Sequence, residues 1–163
     1  MSPIWKMIWA ANVIPKVKYF IWRFIRGILP TIGNLLKKRL NVEGSCQTCG
    51  GGFESIFHAM FECIFSNRVW WICCKWIHEI FQDWFMEGDI LERVFIKAAQ
   101  AKEVEIFCTI LWLLWHNKNK VVHEQICQTP DGIVRKAKDI LEGIVGEPIH
   151  EERTRRELDI QVW

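Results

Sequence analysis

The chain has 163 residues, half of them hydrophobic, with ten tryptophans, seven cysteines and a formal net charge of +2. That length supports one domain with a genuine core, and the longest apolar stretch, 106–115, is about half of what a bilayer span needs, so a transmembrane helix is unsupported and no membrane partner is expected. The odd cysteine count, with an opening MSPIWKMIWA that lacks the basic and apolar regions of a secretory leader, points to reduced thiols in an intracellular compartment.

The charge is unevenly spread. Residues 1–45 carry eight Lys/Arg and one acidic residue, whereas residues 46–163 carry thirteen Lys/Arg against eighteen Asp/Glu. Such asymmetry suits an anionic partner for the basic part, or mutual attraction of the two parts.

In chain order, Trp5 and Trp9 stand at helical spacing with Ile4, Ile8 and Val13 nearby, predicting a short helix or packed arm. Pro15 opens a second helix, since proline is well tolerated in a first turn. Its inward face is Val17, Phe20, Ile21, Phe24 and Ile28. The opposite stripe holds Tyr19, Trp22, Arg23 and Arg26. Aromatics interleaved with arginines can stack bases and neutralise phosphates; the same stripe can instead lie against a neighbouring helix with the arginine stems packed on it. Thr31 is the expected N-cap of a third helix. Lys37, Lys38 and Arg39 fall in its last turn, where cations suit the helix dipole and could also meet phosphate.

Residues 46–63 read CQTCGGGFESIFHAMFEC, giving Cys46-x2-Cys49-x8-His58-x4-Cys63. Three thiols and an imidazole in this order suit one structural zinc ion held tetrahedrally, with no open position for catalysis. Gly50 lets the backbone turn so that amide N–H groups face the sulfurs. SIFHAMFEC has helical character, with Cys63 at or just past its end. Glu54, four residues before His58, is the expected acceptor for the ring nitrogen not used for metal. The rival readings are a redox CxxC pair and plain core residues; a redox or hydrolytic enzyme using Cys46 and Cys49 would need a fast-reacting thiol of depressed pKa.

After Cys63, NRVWWICCKWIHEIFQDWF reads as one long helix with Val69, Cys73, Trp76, Ile77 and Ile80 on a shared face, Cys73 and Cys74 as core, and His78 at the surface or in packing. Gly88-Asp89 marks a boundary. One or two helices follow, with IFCTILWLLW as the central buried segment and 116–120 as its polar exit. Pro130 opens a last amphipathic helix with Ile133, Ala137, Ile140, Leu141 and Ile144 inward. The mixed-charge end is expected to be exposed. The resulting fold class is all-α, a helical domain organised around a Cys3His zinc knuckle.

The stretches IWKMIW, PKVKYFIWRFIRGILPT, LLKKRL, CQTCGGGFESIFHAMFEC, RVW and LWLLWHNKNKVV, in this order, resemble the zinc-binding domain of plant LINE-type (non-LTR) retrotransposon reverse transcriptases, most closely over 4–71. The resemblance implies Cys46, Cys49, His58 and Cys63 as ligands, the same four that spacing singles out. Lys118-Asn119 stands where that family usually has Arg-Asn. The Tyr-x-Asp-Asp polymerase signature is missing, as is a strand-rich RNase H pattern, so a non-catalytic domain is expected. The expected organisation is a zinc-binding domain over 1–85, a helical extension over 86–146 leading toward an RNase H-like domain, and a tail over 147–163. The resemblance implies a domain that holds template RNA or target DNA; in this chain the residues expected to do so are Lys16, Lys18, Arg23, Arg26, Lys37, Lys38 and Arg39 by phosphate contacts, with stacking on Tyr19 and Trp22. The alternative is a Trp-rich module that docks polymerase or RNase H parts.

Overall fold

The computed structural model describes residues 3–41, 44–82 and 89–146. Among them the only regular elements are helices: α1 (Pro3–Ala10), α2 (Pro15–Ile25), α3 (Ile32–Lys37), a π-helical turn (His58–Glu62), α4 (Ile64–Cys73), α5 (Trp76–Gln82), α6 (Ile90–Gln100), α7 (Val104–Glu124) and α8 (Pro130–Gly146). The expected all-α class holds. The expected tail and the Gly88 side of the boundary lie outside the described residues.

Local sequence explains most helix ends. Ile14 is extended before Pro15, as a residue preceding proline prefers to be. Gly27, at φ +64°, closes α2: its N–H donates to Phe24 O and the Ile28 N–H to Arg23 O, the paired bonds of a Schellman end. This reversal corrects the place expected for Ile28. The helix stops before it, and its side chain is exposed instead of joining the inward face. Thr31 caps α3 by accepting from Asn34 N at 3.2 Å, while the Asn34 amide donates to Gly27 O and Leu29 O and ties α3 to the turn before it. Thr31→Ala is expected to lower the unfolding free energy by about 1 kcal/mol. Urea denaturation should show an earlier midpoint at unchanged slope; an unmoved midpoint would mean that the cap is not formed in solution.

α7 is the central helix. Phe107, Cys108, Ile110, Leu111, Leu113 and Leu114 are all buried, and α2, α6, α8 and the π-helical turn pack on it. The core is continuous from Ile4 in α1 to Ala137 in α8. An aromatic cluster joins its parts: Phe61 lies 5.9 Å from Trp70 and 5.2 Å from Phe81, and Trp70 lies 5.4 Å from Phe107.

Two expected elements differ. The long helix after Cys63 is broken at Cys74, whose backbone (φ −123°, ψ 68°) leaves the helical region. The break turns α5 so that Ile77 and Ile80 are buried alongside Val69, Trp70 and Cys74, while Cys73 is only partly covered. The polar exit expected at 116–120 is instead the continuation of α7, which runs to Glu124. Lys118 is buried there because positions 111, 114, 115 and 118 recur on one helical face, and Asn117 is buried where its Oδ1 accepts from Gln128 N at 2.8 Å.

Candidate metal centre and basic surface

The cysteine loop is built by backbone pairing. Ser45 and Phe53 form an antiparallel bridge, and Cys46 N donates to Gly52 O and Glu54 N to Gly44 O. Gly50 (φ +70°) and Gly52 (φ +59°) occupy the left-handed region, which a side chain would strain. Gly50 N returns to Cys46 O at 2.8 Å, closing the tight turn that separates the first two thiols.

The second pair of donors depends on the π-helical turn. Residues five apart stand about 140° from each other around an ideal α-helix. Here Cys63 N donates to His58 O at 2.7 Å, a five-residue closure that widens the turn and brings His58 and Cys63 to one side. The turn's carbonyls find partners on α4: Ser66 Oγ donates to Ala59 O at 2.6 Å and the Trp70 indole to Met60 O at 2.7 Å. Both groups are buried, so these bonds satisfy the local backbone that widening would otherwise leave unpaired.

The four expected donors converge. One ligand atom from each of Cys46, Cys49, His58 and Cys63 lies within 4.8 Å of every other, and Cys49 Sγ is 3.4 Å from His58 Nε2. Tetrahedral zinc with Zn–S bonds near 2.3 Å places sulfurs about 3.8 Å apart, so the set needs only small contraction to close on an ion. Backbone N–H groups face the sulfurs: Gly51 N to Cys49 Sγ at 3.4 Å, those of Cys49 and Thr48 to Cys46, and those of Phe65 and Ser66 to Cys63. Such donors favour thiolates, the form that binds metal. The Cys46 thiol is lowered to about 4, mainly by the hydrogen bond with the Cys63 thiol, with burial opposing and the Cys49 and Thr48 amides and His58 adding to the fall. Cys63 is raised, first by that same bond and then by burial. The donor chemistry therefore fits a zinc ion.

Glu54 is not placed as expected. It precedes the helical segment, which begins at Ile56, so it does not share a helical face with His58. Its side chain is fully buried and turned the other way. Oε1 accepts from Ile32 N at 3.2 Å and pairs with Lys118 Nζ at 3.0 Å, while Oε2 is buried with no partner among the described residues. The Lys118 ammonium also stands 4.7 Å from the centre of the Trp115 ring, a cation–π placement. The loop that carries the cysteines is thus tied to α7 by a buried ion pair that the motifs do not announce. The recurrence of 111, 115 and 118 on one face is the signal that could have found it.

The basic residues of α2 lie on its outer side. Tyr19 is exposed, Trp22 and Arg23 are partly exposed, and Arg26 is exposed. Tyr19 stacks on Trp22 at 5.9 Å and the Arg26 guanidinium is 5.8 Å from the Trp22 ring centre. Lys18 Nζ donates to Trp9 O at 2.9 Å, joining α1 to α2. Lys16 is half-buried. Its charge and those of Lys120 and Lys136 bear on His116, whose pKa is lowered to about 4 by burial first and then by these lysines, with Lys136 ahead of Lys120 and Lys16. Lys37, Lys38 and Arg39 are all exposed, but only Lys37 is helical; Arg39 stands beyond the end at φ +60°. Nothing in the local pattern signals that Lys120 and Lys136, from α7 and α8, share an electrostatic environment with Lys16.

The fold and its donor set define a class, an all-α domain gathered around a Cys3His metal cluster. Residues 1–70, which contain all four donors, match the family described as zinc-binding in reverse transcriptase, and the resemblance read from the motifs holds over this segment. A curated Arabidopsis thaliana protein named "Putative ribonuclease H protein" is 23% identical over 121 residues, which cover 71% of this chain and 19% of that protein. The chain therefore spans about a fifth of that relative's length. No solved structure matches. No helix among the described residues is long and apolar enough to cross a membrane.

Proposed function

We propose that this chain is a non-catalytic zinc domain that presents a basic, aromatic surface to RNA or DNA. Cys46, Cys49, His58 and Cys63 would hold a single structural zinc ion; their convergence within 4.8 Å, in a segment matching a reverse-transcriptase zinc-binding family, is the observation that carries this reading. Four protein donors leave no open position on the metal, so its role would be to fold the loop and not to activate water. Residues 86–146 would extend the domain, and the site of action would be the nucleus or cytoplasm. Lys16, Lys18, Arg23, Arg26, Lys37, Lys38 and Arg39 would neutralise phosphates, with Tyr19 and Trp22 available for stacking.

The exposed side chains of Trp9, Phe53, Ile64 and Trp71 favour a second reading, a module that docks polymerase or RNase H parts. Salt separates the two. Binding of a labelled oligonucleotide is expected to weaken steeply as salt rises. The triple variant Lys37→Ala/Lys38→Ala/Arg39→Ala should flatten the slope of log K against log salt by about 0.7 for each single-strand phosphate it no longer neutralises. An oligonucleotide affinity that is absent, or indifferent to salt, would remove the nucleic-acid reading and leave the docking one.

A further inference from the structure

Trp9, Pro15, Lys18, Tyr19 and Trp22 line a groove of about 330 Å³ between the end of α1 and the outer face of α2. Three aromatic rings from two helices thus meet at one site. Trp9 is 54% and Tyr19 51% exposed, an unusual display for rings of that size when a buried core lies within reach. The groove is not a loose accident of packing. The Lys18–Trp9 bond joins the end of α1 to α2, Tyr19 and Trp22 are already stacked, and the Arg26 guanidinium stands over the Trp22 ring at 5.8 Å.

Charge indicates what would enter. The first 42 residues contain no aspartate or glutamate and eight Lys/Arg. The Glu105 carboxylate, which reaches this part of the chain from α7, is engaged by Asn12 N. Lys18, with ammonium donors beyond the one given to Trp9, lines the groove, Arg26 stands against Trp22, and Arg23 follows Tyr19 by four residues on α2, so the positive charge near the rings has no acidic neighbour within this segment. An apolar slot of this size sits at the small end of ligand pockets. It suits a flat ring system carried on an anionic chain.

We infer that the Trp9–Tyr19–Trp22 groove receives an unpaired base of a single-stranded nucleic acid, whose flanking phosphates meet Lys18, Arg23 and Arg26. The inference rests on the nucleic-acid reading above and adds to it a preference for single strands and a defined place for one base. A base inside a duplex cannot reach the slot, because its faces are covered by its neighbours. Sequence preference is expected to be weak, since every base has a stacking face.

The test compares a short oligothymidylate with a blunt duplex of equal length, by fluorescence anisotropy on the zinc-loaded full chain. The single strand should bind more tightly. Trp9→Leu, Tyr19→Leu and Trp22→Leu should each weaken single-strand binding about 5- to 150-fold, the range for removal of one base stack, while leaving the salt slope unchanged; Arg26→Gln should reduce the slope. Replacing the central nucleotides by abasic sites should abolish the single-strand preference. Zinc content and far-UV circular dichroism check the fold of each variant. Should Trp22→Leu misfold, the exposed Tyr19 carries the test. Salt-dependent binding that persists at wild-type strength in folded aromatic variants would overturn the groove and leave the phosphate contacts standing. Absence of salt-dependent binding to either oligonucleotide would overturn both. A proline-rich peptide that binds and depends on Trp9 and Trp22, with no oligonucleotide effect, would also overturn the inference.

Discussion

Stripping metal from the purified chain with a chelator at neutral pH is expected to abolish the fold around residues 44–70 and to lower the helical signal at 222 nm. Structural zinc sites contribute about 10–16 kcal/mol in apparent binding free energy, comparable with or larger than the ~5–15 kcal/mol by which whole domains are stable. The loss should be largest in the loop itself, because the turn that follows is also held by its packing on α4 and α7. The loop is closed by short backbone pairing, and the widened turn holds His58 beside Cys63. Cys63→Ser should reproduce much of the effect, since Cys63 is buried among the donors and caps the turn. Zinc measured by atomic absorption should be one ion per chain in the wild type and absent from the variant. A chain that melts identically with and without chelator would refute the metal centre.

Lys118→Met is expected to cost about 3–5 kcal/mol, the range for removing one partner of a buried ion pair. Methionine fills similar volume and keeps an apolar stem, so the loss would isolate the charge. What remains is the Glu54 carboxylate, fully buried, with the Ile32 N–H on one oxygen and no partner among the described residues on the other. The double variant Glu54→Gln/Lys118→Met should recover part of the loss, because it removes the stranded charge. Chemical denaturation of the four chains (wild type, Glu54→Gln, Lys118→Met and the double variant), read as a double-mutant cycle, measures the coupling directly. Additive single effects would show that the two groups are not paired in solution.

Features set by a few neighbouring residues are legible from the sequence. Pro15, Thr31 and Pro130 mark helix starts because their effects act within one turn. The four donors are readable because metal geometry restricts the spacing of their residues. IFCTILWLLW is readable as the central helix because no polar face interrupts it. What escapes depends on distant partners. Sequence separation matches Glu54 to His58, yet its partner is on α7. Lys118 reads as part of a polar exit because its neighbours His116, Asn119 and Lys120 are polar, and only the carboxylate opposite makes its burial tolerable. The break at Cys74 has no proline or glycine to announce it; α5 turns there to bury Ile77 and Ile80. The π-helical turn is hidden for a related reason. Its widening is stabilised by Ser66 and Trp70, residues whose own pattern reads as ordinary α-helix.

The bond between Glu54 and Lys118 also sets an order in time. A chain made from its N-terminus at about 5–20 residues per second needs roughly 3–13 s to add the 64 residues that separate the two. During that interval the cysteine loop can already have emerged and met zinc, while its glutamate still faces water. Burial of that carboxylate must await α7, so the cysteine loop cannot reach its final surroundings until the long helix has been made, and α8, which packs on α4 and α7, comes later still.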